Sequence, residues 1–207
     1  MVTLKGAEVS AKIKEEVQEI LGTLSGEAPK LAIIRVGERP DDISYEKGAT
    51  KKMGNFGLRV QSYVFPADIS DAQFKAEFQK INEDPDVTGI LMLRPLPKQI
   101  CEKDIENMID PEKDLDGISP VNIAKVFAGD QSGFAPCTAE AVMEVLKQNQ
   151  IEISGKRAVV VGRSMVVGRP LAMLLLKENA TVTICHTRTK DLKETCLNAE
   201  ILCAAAG

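Results

Sequence analysis

The chain of 207 residues has one histidine, His186, no tryptophan, and only 4% aromatic residues. A single imidazole cannot build a His-rich metal site, and so few rings leave little for stacking single-stranded nucleic acid or sugars. The five cysteines (Cys101, Cys137, Cys185, Cys196 and Cys203) are odd in number and scattered, with no C-x-x-C pair. That spacing argues against a zinc site or a disulfide framework and for reduced, buried thiols, so no metal is expected. No apolar run reaches the roughly 18 residues of a membrane span. The opening MVTLKGAEVSAKIKEEV lacks the charged and apolar regions of a signal peptide. The cytoplasm is the expected compartment, with no membrane partner. Basic charge is also missing: 26 Lys+Arg against 30 Asp+Glu give a net charge of −4, so nucleic acid is not an expected partner.

What is present is an ordinary globular balance of 44% apolar and 27% charged residues. The apolar period alternates between helix and strand. Val9, Ile13, Val17, Ile20 and Leu21 stand three and four apart, a helix over 7–24. A buried strand follows at 31–37, then a helix N-capped by Asp41-Asp42 and stopped near Asn55-Phe56-Gly57. A strand at 58–65, a helix at 69–83 opened by Ser70-Asp71, and a strand at 88–93 complete a parallel α/β unit. Residues 111–136, with three prolines and three glycines, read as a linker with an embedded active-site loop and a short helical piece near 121–128. A helix at 138–150, capped by Thr138, leads into strand 156–161, helix 166–178, strand 180–185, helix 190–198 and strand 200–205. The fold class is α/β, with two domains: 1–120, a linker and connecting helix over 121–150, and a second domain over 151–207.

The sharpest local motif is VVVGRSMVVGRP at 159–170. A buried strand enters a tight turn at Gly162, and Gly168 opens a helix, which aims backbone N–H groups and a positive helix end at a phosphate. Gly162, Arg163, Ser164 and Gly168 are therefore the candidate cofactor cradle. The pattern is neither G-x-G-x-x-G nor a P-loop. After the next strand an NAD site would carry an acidic residue; here stand His186, Thr187, Arg188, Thr189 and Lys190. Arg163, Thr187 and Arg188 suit a 2′-phosphate, which favours NADP over NAD, with His186 beside the cofactor rather than acting as a base.

The chain resembles the methylenetetrahydrofolate dehydrogenase/methenyltetrahydrofolate cyclohydrolase family. The resemblance rests on GKRAVVVGRSMVVGRP at 155–170, ATVTICHTRT at 180–189, PEKDLDG at 111–117, APCT at 135–138 and Pro95-Leu96-Pro97. It implies two α/β domains flanking a cleft, folate on the first and NAD(P) on a second, Rossmann-like domain, and a homodimer formed through the latter. It also implies oxidation of 5,10-methylenetetrahydrofolate to the methenyl cation by hydride transfer, then hydration to 10-formyltetrahydrofolate. By position, Tyr45 matches the family's stacking tyrosine and Asp116 its pterin-binding aspartate, with Pro95, Leu96 and Pro97 lining the folate, Asp114 capping the loop and Cys137 near the cleft.

Two positions depart from the family. Its Y-x-x-x-K helix, whose lysine is central to the cyclohydrolase step, here reads Tyr45-Glu46-Lys47-Gly48-Ala49, with Lys51 and Lys52 beyond. Its V-Q-L-P-L-P strand end, whose glutamine adjusts that lysine, reads Met92-Leu93-Arg94-Pro95-Leu96-Pro97. Either dehydrogenase chemistry is retained with the cyclohydrolase step weakened or rewired through Lys51, Lys52 or Arg94, or a register shift brings Lys51 into the site and both activities survive. Two other readings stay open: a different two-domain NAD(P) oxidoreductase, and a non-catalytic folate- or nucleotide-binding remnant. The resemblance also implies that family members run on well past the last strand here, so the second domain is expected to be C-terminally incomplete.

Overall fold

The computed structural model describes residue 3 and residues 5–206. Its chain divides into two units, Ser10–Pro120 and Met1–Val9 with Val121–Gly207. In the unit Ser10–Pro120, strand β1 (Lys30–Val36) lies between two parallel neighbours, β2 (Arg59–Phe65) and β3 (Val87–Met92). The order β2-β1-β3 means that the chain crosses one way and then returns past its first strand. In such a sheet the connections leave opposite sides of the strand ends at β1 and β3, and ligands bind in the crevice that opens there.

Alternation along β1 sorts the helices onto two faces. Ala32, Ile34 and Val36 pack with Phe74, Phe78 and Ile81 of α3 (Asp71–Glu83) and with Ile105 of α4 (Glu102–Met108). Leu31 and Ile33 pack instead with Ala49 and Met53 of α2 (Pro40–Phe56). Helix α1 (Gly6–Thr23) precedes the sheet.

The other unit repeats the plan around β4 (Arg157–Val161), flanked in parallel by β5 (Thr181–Cys185) and β6 (Ile201–Ala204). Its core joins Ala158 and Val160 to Leu171, Ala172 and Leu175 of α7 (Gly168–Lys177) and to Ala139 and Met143 of α6 (Cys137–Gln148). Val126 of α5 (Pro120–Ala128) and Ala135 belong to the same core. Residues 121–150, read from composition as linker and connecting helix, thus supply buried side chains to it. Helix α8 (Leu192–Leu197) lies between β5 and β6 in the chain. No described helix is long and apolar enough to cross a membrane.

Several local signals act as read. Ser70 and Gln73 form a reciprocal capping box, and Gly57 ends α2 in the left-handed conformation at φ 96°. Two caps differ. Helix α2 starts at Pro40 behind Arg39, so Asp41 and Asp42 lie in its first turn, where they meet the positive dipole end. Helix α6 starts on Pro136, whose carbonyl accepts from Ala139 N (2.9 Å), and Thr138 makes no cap bond. Helix α4 has no expectation behind it: seven residues hide a 3.6 period, and its place is set by Asp71 accepting from Cys101 N (2.8 Å) and by Lys75 bridging to Asp104 (2.5 Å).

The parallel register brings the strand starts together, and Asp86 staples them. It receives Arg59 Nη2 at 2.6 Å and Lys30 Nζ at 2.7 Å. The hydrogen bonds from Arg59 and Lys30 hold its carboxyl down at about 2. A carboxyl depressed in the folded state stabilises above its unfolded value, roughly 3.9, and that contribution disappears as pH falls through the folded value. Thermal unfolding between pH 7 and pH 2 is expected to show Asp86→Asn below the parent protein at neutral pH, with the difference closing as the pH approaches 2.

Candidate active site

The carboxyl ends of β1 and β3 carry the loops that hold most of the folate-side candidates. Beyond β3 the chain passes through Leu93, Arg94 and a cis Arg94–Pro95 bond to Pro95, Leu96 and Pro97. Leu96 is buried, Pro97 half-buried and Pro95 exposed. Residues 113–115 return alongside β3: Ile90 N donates to Lys113 O (2.7 Å), and Leu115 N donates to Ile90 O (3.4 Å). Leu115 lies over Gly89, where an added Cβ would stand 2.4 Å from the Leu115 side chain. The Asp114 carboxylate is buried and accepts from Ile118 N (3.0 Å) and Ser119 N (2.8 Å), closing the loop as a cap. Asp116, half-buried, is thereby held at the loop's tip next to Gly117 at φ 59°.

Arg94 connects these segments. Its Nη1 lies 3.3 Å from Glu102 and 3.5 Å from Glu106 on α4, and its Nη2 lies 3.9 Å from Asp116 Oδ2. The second Glu102 oxygen accepts from Leu96 N at 3.0 Å. Pro95–Leu96–Pro97 and Asp116 are therefore tied through one guanidinium.

Helix α2 presents Tyr45, which is 56% exposed. Its neighbour Glu46 docks the helix on the sheet: Arg35 Nε, from the end of β1, donates to Glu46 at 2.5 Å, and the same guanidinium donates to the Gly37 carbonyl. Burial pushes the Glu46 carboxyl up, but hydrogen bonds from Ser62 and Arg35 outweigh it and leave the group below its ordinary value. Sequence reading missed this anchor, although an arginine inside an otherwise apolar strand next to a predicted helix was its visible sign.

The two family departures meet in one place. Leu93 is buried with Leu31 and Ile33, and Ala49, Met53, Val60, Leu91 and Leu115 pack against that cluster. Neither Ala49 nor Leu93 offers a polar atom there. Lys51 and Lys52 are exposed, and Lys52 Nζ stands 5.6 Å from the Phe56 ring centroid, one helical turn on.

The nucleotide-side candidates lie at the carboxyl end of β4. Gly162 has φ 134°, and a Cβ there would stand 2.3 Å from the Ala205 carbonyl oxygen; a Cβ at Gly168 would stand 2.2 Å from the Gly162 carbonyl oxygen. Backbone therefore packs against backbone around the turn, and no larger residue fits. Ser164 Oγ accepts from Val167 N (3.1 Å) and Gly168 N (3.4 Å), capping α7, while its hydroxyl proton remains a donor for an outside acceptor. Arg163 is exposed at the turn. After β5, His186 Nδ1 accepts from Arg188 N (3.1 Å), and Thr189 closes the turn through His186 N (2.8 Å). Thr187 and Arg188 are exposed on it. Among the described residues, no group of three or more His, Cys, Asp or Glu is placed to hold a metal ion.

A parallel βαβ unit with a glycine-only turn opening a helix defines the second unit as a Rossmann-type nucleotide-binding domain, and the two units together as a two-domain α/β protein of the dehydrogenase kind. The chain belongs to the tetrahydrofolate dehydrogenase/cyclohydrolase family: residues 4–116 match its catalytic domain and residues 136–207 its NAD(P)-binding domain. It is 50% identical to the bifunctional protein FolD of Alkaliphilus oremlandii (strain OhILAs) over 206 residues, 99% of this chain and 72% of that protein. Among solved structures, the bifunctional FolD methylenetetrahydrofolate dehydrogenase/cyclohydrolase of Campylobacter jejuni superposes with a TM-score of 0.93 at 40% identity, over 98% of this chain and 72% of that one. The Trypanosoma brucei enzyme, solved with NADP cofactor and inhibitor, gives 0.92 at 34% identity, over 100% and 72%.

Substitution tests the turn. Gly162→Ala meets both a backbone oxygen and an unfavourable φ and is expected to lose at least about 2 kcal/mol in urea unfolding. Gly155→Ala, at φ 74° with nothing within 4 Å, is expected to lose only about 1 kcal/mol.

Proposed function

We propose that this protein oxidises 5,10-methylenetetrahydrofolate to 5,10-methenyltetrahydrofolate with NADP as hydride acceptor, and that it has given up the cyclohydrolase step. The observation that carries the reading is the coexistence of the Gly162–Gly168 cradle with the Tyr45 helix and the Asp114-capped Asp116 loop. The resemblance to the family's motifs supports all three assignments.

The cradle fits a dinucleotide. The Ser164 hydroxyl supplies a donor for a pyrophosphate, the start of α7 adds the positive end of its dipole, and the two glycines leave no side chain in the way. Arg163 and Arg188, with Thr187 beside them, supply cationic and hydroxyl donors for a 2′-phosphate; no carboxylate ends β5 to grip a free ribose hydroxyl. NADP supplies the hydride acceptor when bound. On the folate side, Tyr45 provides a flat face and Asp116 accepts hydrogen bonds from the pterin ring, so the protein's contribution is alignment of the ring. Homodimer assembly through the cofactor unit, cytoplasmic location and supply of one-carbon units complete the reading and rest on the family likeness.

Hydration of the methenyl carbon needs a group that takes a proton from the attacking water. The family positions for that work hold Ala49 and Leu93, both members of one apolar cluster, and hydrocarbon cannot perform it. A second reading, in which Lys51 or Lys52 takes over and both activities survive, is favoured by the bifunctional relative at 50% identity.

The purified protein is expected to reduce NADP, and NAD more slowly, only when methylenetetrahydrofolate is present; Tyr45→Ala raises the folate KM about tenfold. No reduction of either cofactor by the folded protein would overturn the dehydrogenase reading. Hydrolysis of added methenyltetrahydrofolate is expected near the enzyme-free rate and to rise at least about tenfold in the Ala49→Lys/Leu93→Gln double variant. Rapid hydrolysis by the parent protein, abolished in Lys51→Ala or Lys52→Ala, would establish the second reading instead.

A further inference from the structure

We infer that Arg94 is a positioning residue for folate binding: anchored on Glu102 and Glu106, its guanidinium sets the orientation of the Asp116 carboxylate. The inference rests on the reading of Asp116 as the pterin-binding aspartate and adds a residue to it.

Arg94 stands where the family motif V-Q-L-P-L-P carries its first leucine, so this chain replaces a hydrocarbon with a planar cation next to the replaced glutamine. Glu102 and Glu106, one turn apart on α4, both lie against Nη1, at 3.3 and 3.5 Å. That leaves Nη2 as the end of the fork nearest Asp116 Oδ2, at 3.9 Å. A guanidinium held on one side presents its remaining donors in a fixed plane, which is what a positioning role needs. The Arg94 and Asp116 side chains are only 20% and 23% exposed, so solvent screens their attraction less than at an open surface.

The backbone at Asp116 needs no such help. Asp114 caps the loop behind it, and Leu115 is packed against the apolar cluster before it. The Asp116 carboxylate faces Arg94 Nη2, and it is the side chain's direction that the guanidinium acts on. Without Arg94, the carboxylates of Glu102, Glu106 and Asp116 would lose the cation they share, and repulsion would turn Asp116 away.

A double-mutant cycle on steady-state constants tests this, with thermal midpoints recorded for every variant. Arg94→Leu is expected to raise the methylenetetrahydrofolate KM about five- to tenfold while kcat and the NADP KM change less than about twofold, and Arg94→Lys recovers part of the loss. In an Asp116→Ala background, Arg94→Leu adds less than about twofold, because the group it positions is gone. Should Arg94→Leu fail to fold, Glu106→Gln removes one anchor and carries the same cycle with a rise of about twofold. An equal rise in both backgrounds, or no rise in the parent, overturns the role of Arg94. An unchanged folate KM in Asp116→Ala overturns the reading of Asp116, and the role of Arg94 falls with it.

Discussion

The buried carboxylate of Asp114 turns a stretch of irregular chain into a fixed edge of the sheet. By accepting the N–H groups of Ile118 and Ser119 it closes the loop, while Ile90 pairs with the segment just before it along β3. Removing it would leave two buried donors without their acceptor, a cost of several kcal/mol in order of magnitude. The Asp116 side of the folate-side candidates is built from that edge. Asp116 is held at the tip, Leu115 reaches over Gly89 into the apolar cluster, and Arg94 faces Asp116 from the end of the neighbouring strand. The β2-β1-β3 order decides where this edge stands, because the crevice opens where connections leave β1 and β3 on opposite sides.

The same frame brings together two residues distant in sequence, Ala49 and Leu93. Ala49 lies on the helix that covers one sheet face, and Leu93 follows the strand that ends beneath it; both join the cluster of Leu31 and Ile33. A lysine and a glutamine at these positions would support each other, and either alone would be a polar group facing hydrocarbon. Exchanging both for apolar side chains removes the polar chemistry without leaving an orphan. The cation next door, Arg94, faces Glu102, Glu106 and Asp116 and takes no part in the Ala49–Leu93 cluster.

Much of this was legible in the sequence because it is written in local signals. The strand periods, the Ser70 capping box, the Gly57 stop and the glycine spacing of 162 and 168 depend on residues close in the chain. The pairing of Ala49 with Leu93 was also legible, through the family motifs that each interrupts. The rest depends on contacts across long stretches of chain. Helix α4 is too short to show a period and is held by Asp71 and Lys75, some 30 residues earlier. The start of α6 belongs to the Pro136 carbonyl, which no side-chain preference at Thr138 reveals. Residues 121–150 look like a linker in composition, yet Ala135, Ala139 and Met143 are core residues, because small and flexible side chains fill gaps that composition cannot show. The anchoring of Glu46 by Arg35 is another such contact, made when parallel pairing and helix docking bring residues 11 positions apart together.

The account turns on hydride transfer without hydration, and one time course tests it most directly: methenyltetrahydrofolate and NADPH followed together after mixing the protein with methylenetetrahydrofolate and NADP. The account predicts that one methenyl cation accumulates for each NADPH formed and then decays at the rate seen without enzyme. NADPH formation with no accumulated methenyl cation, and formyltetrahydrofolate appearing in step with it, would contradict it.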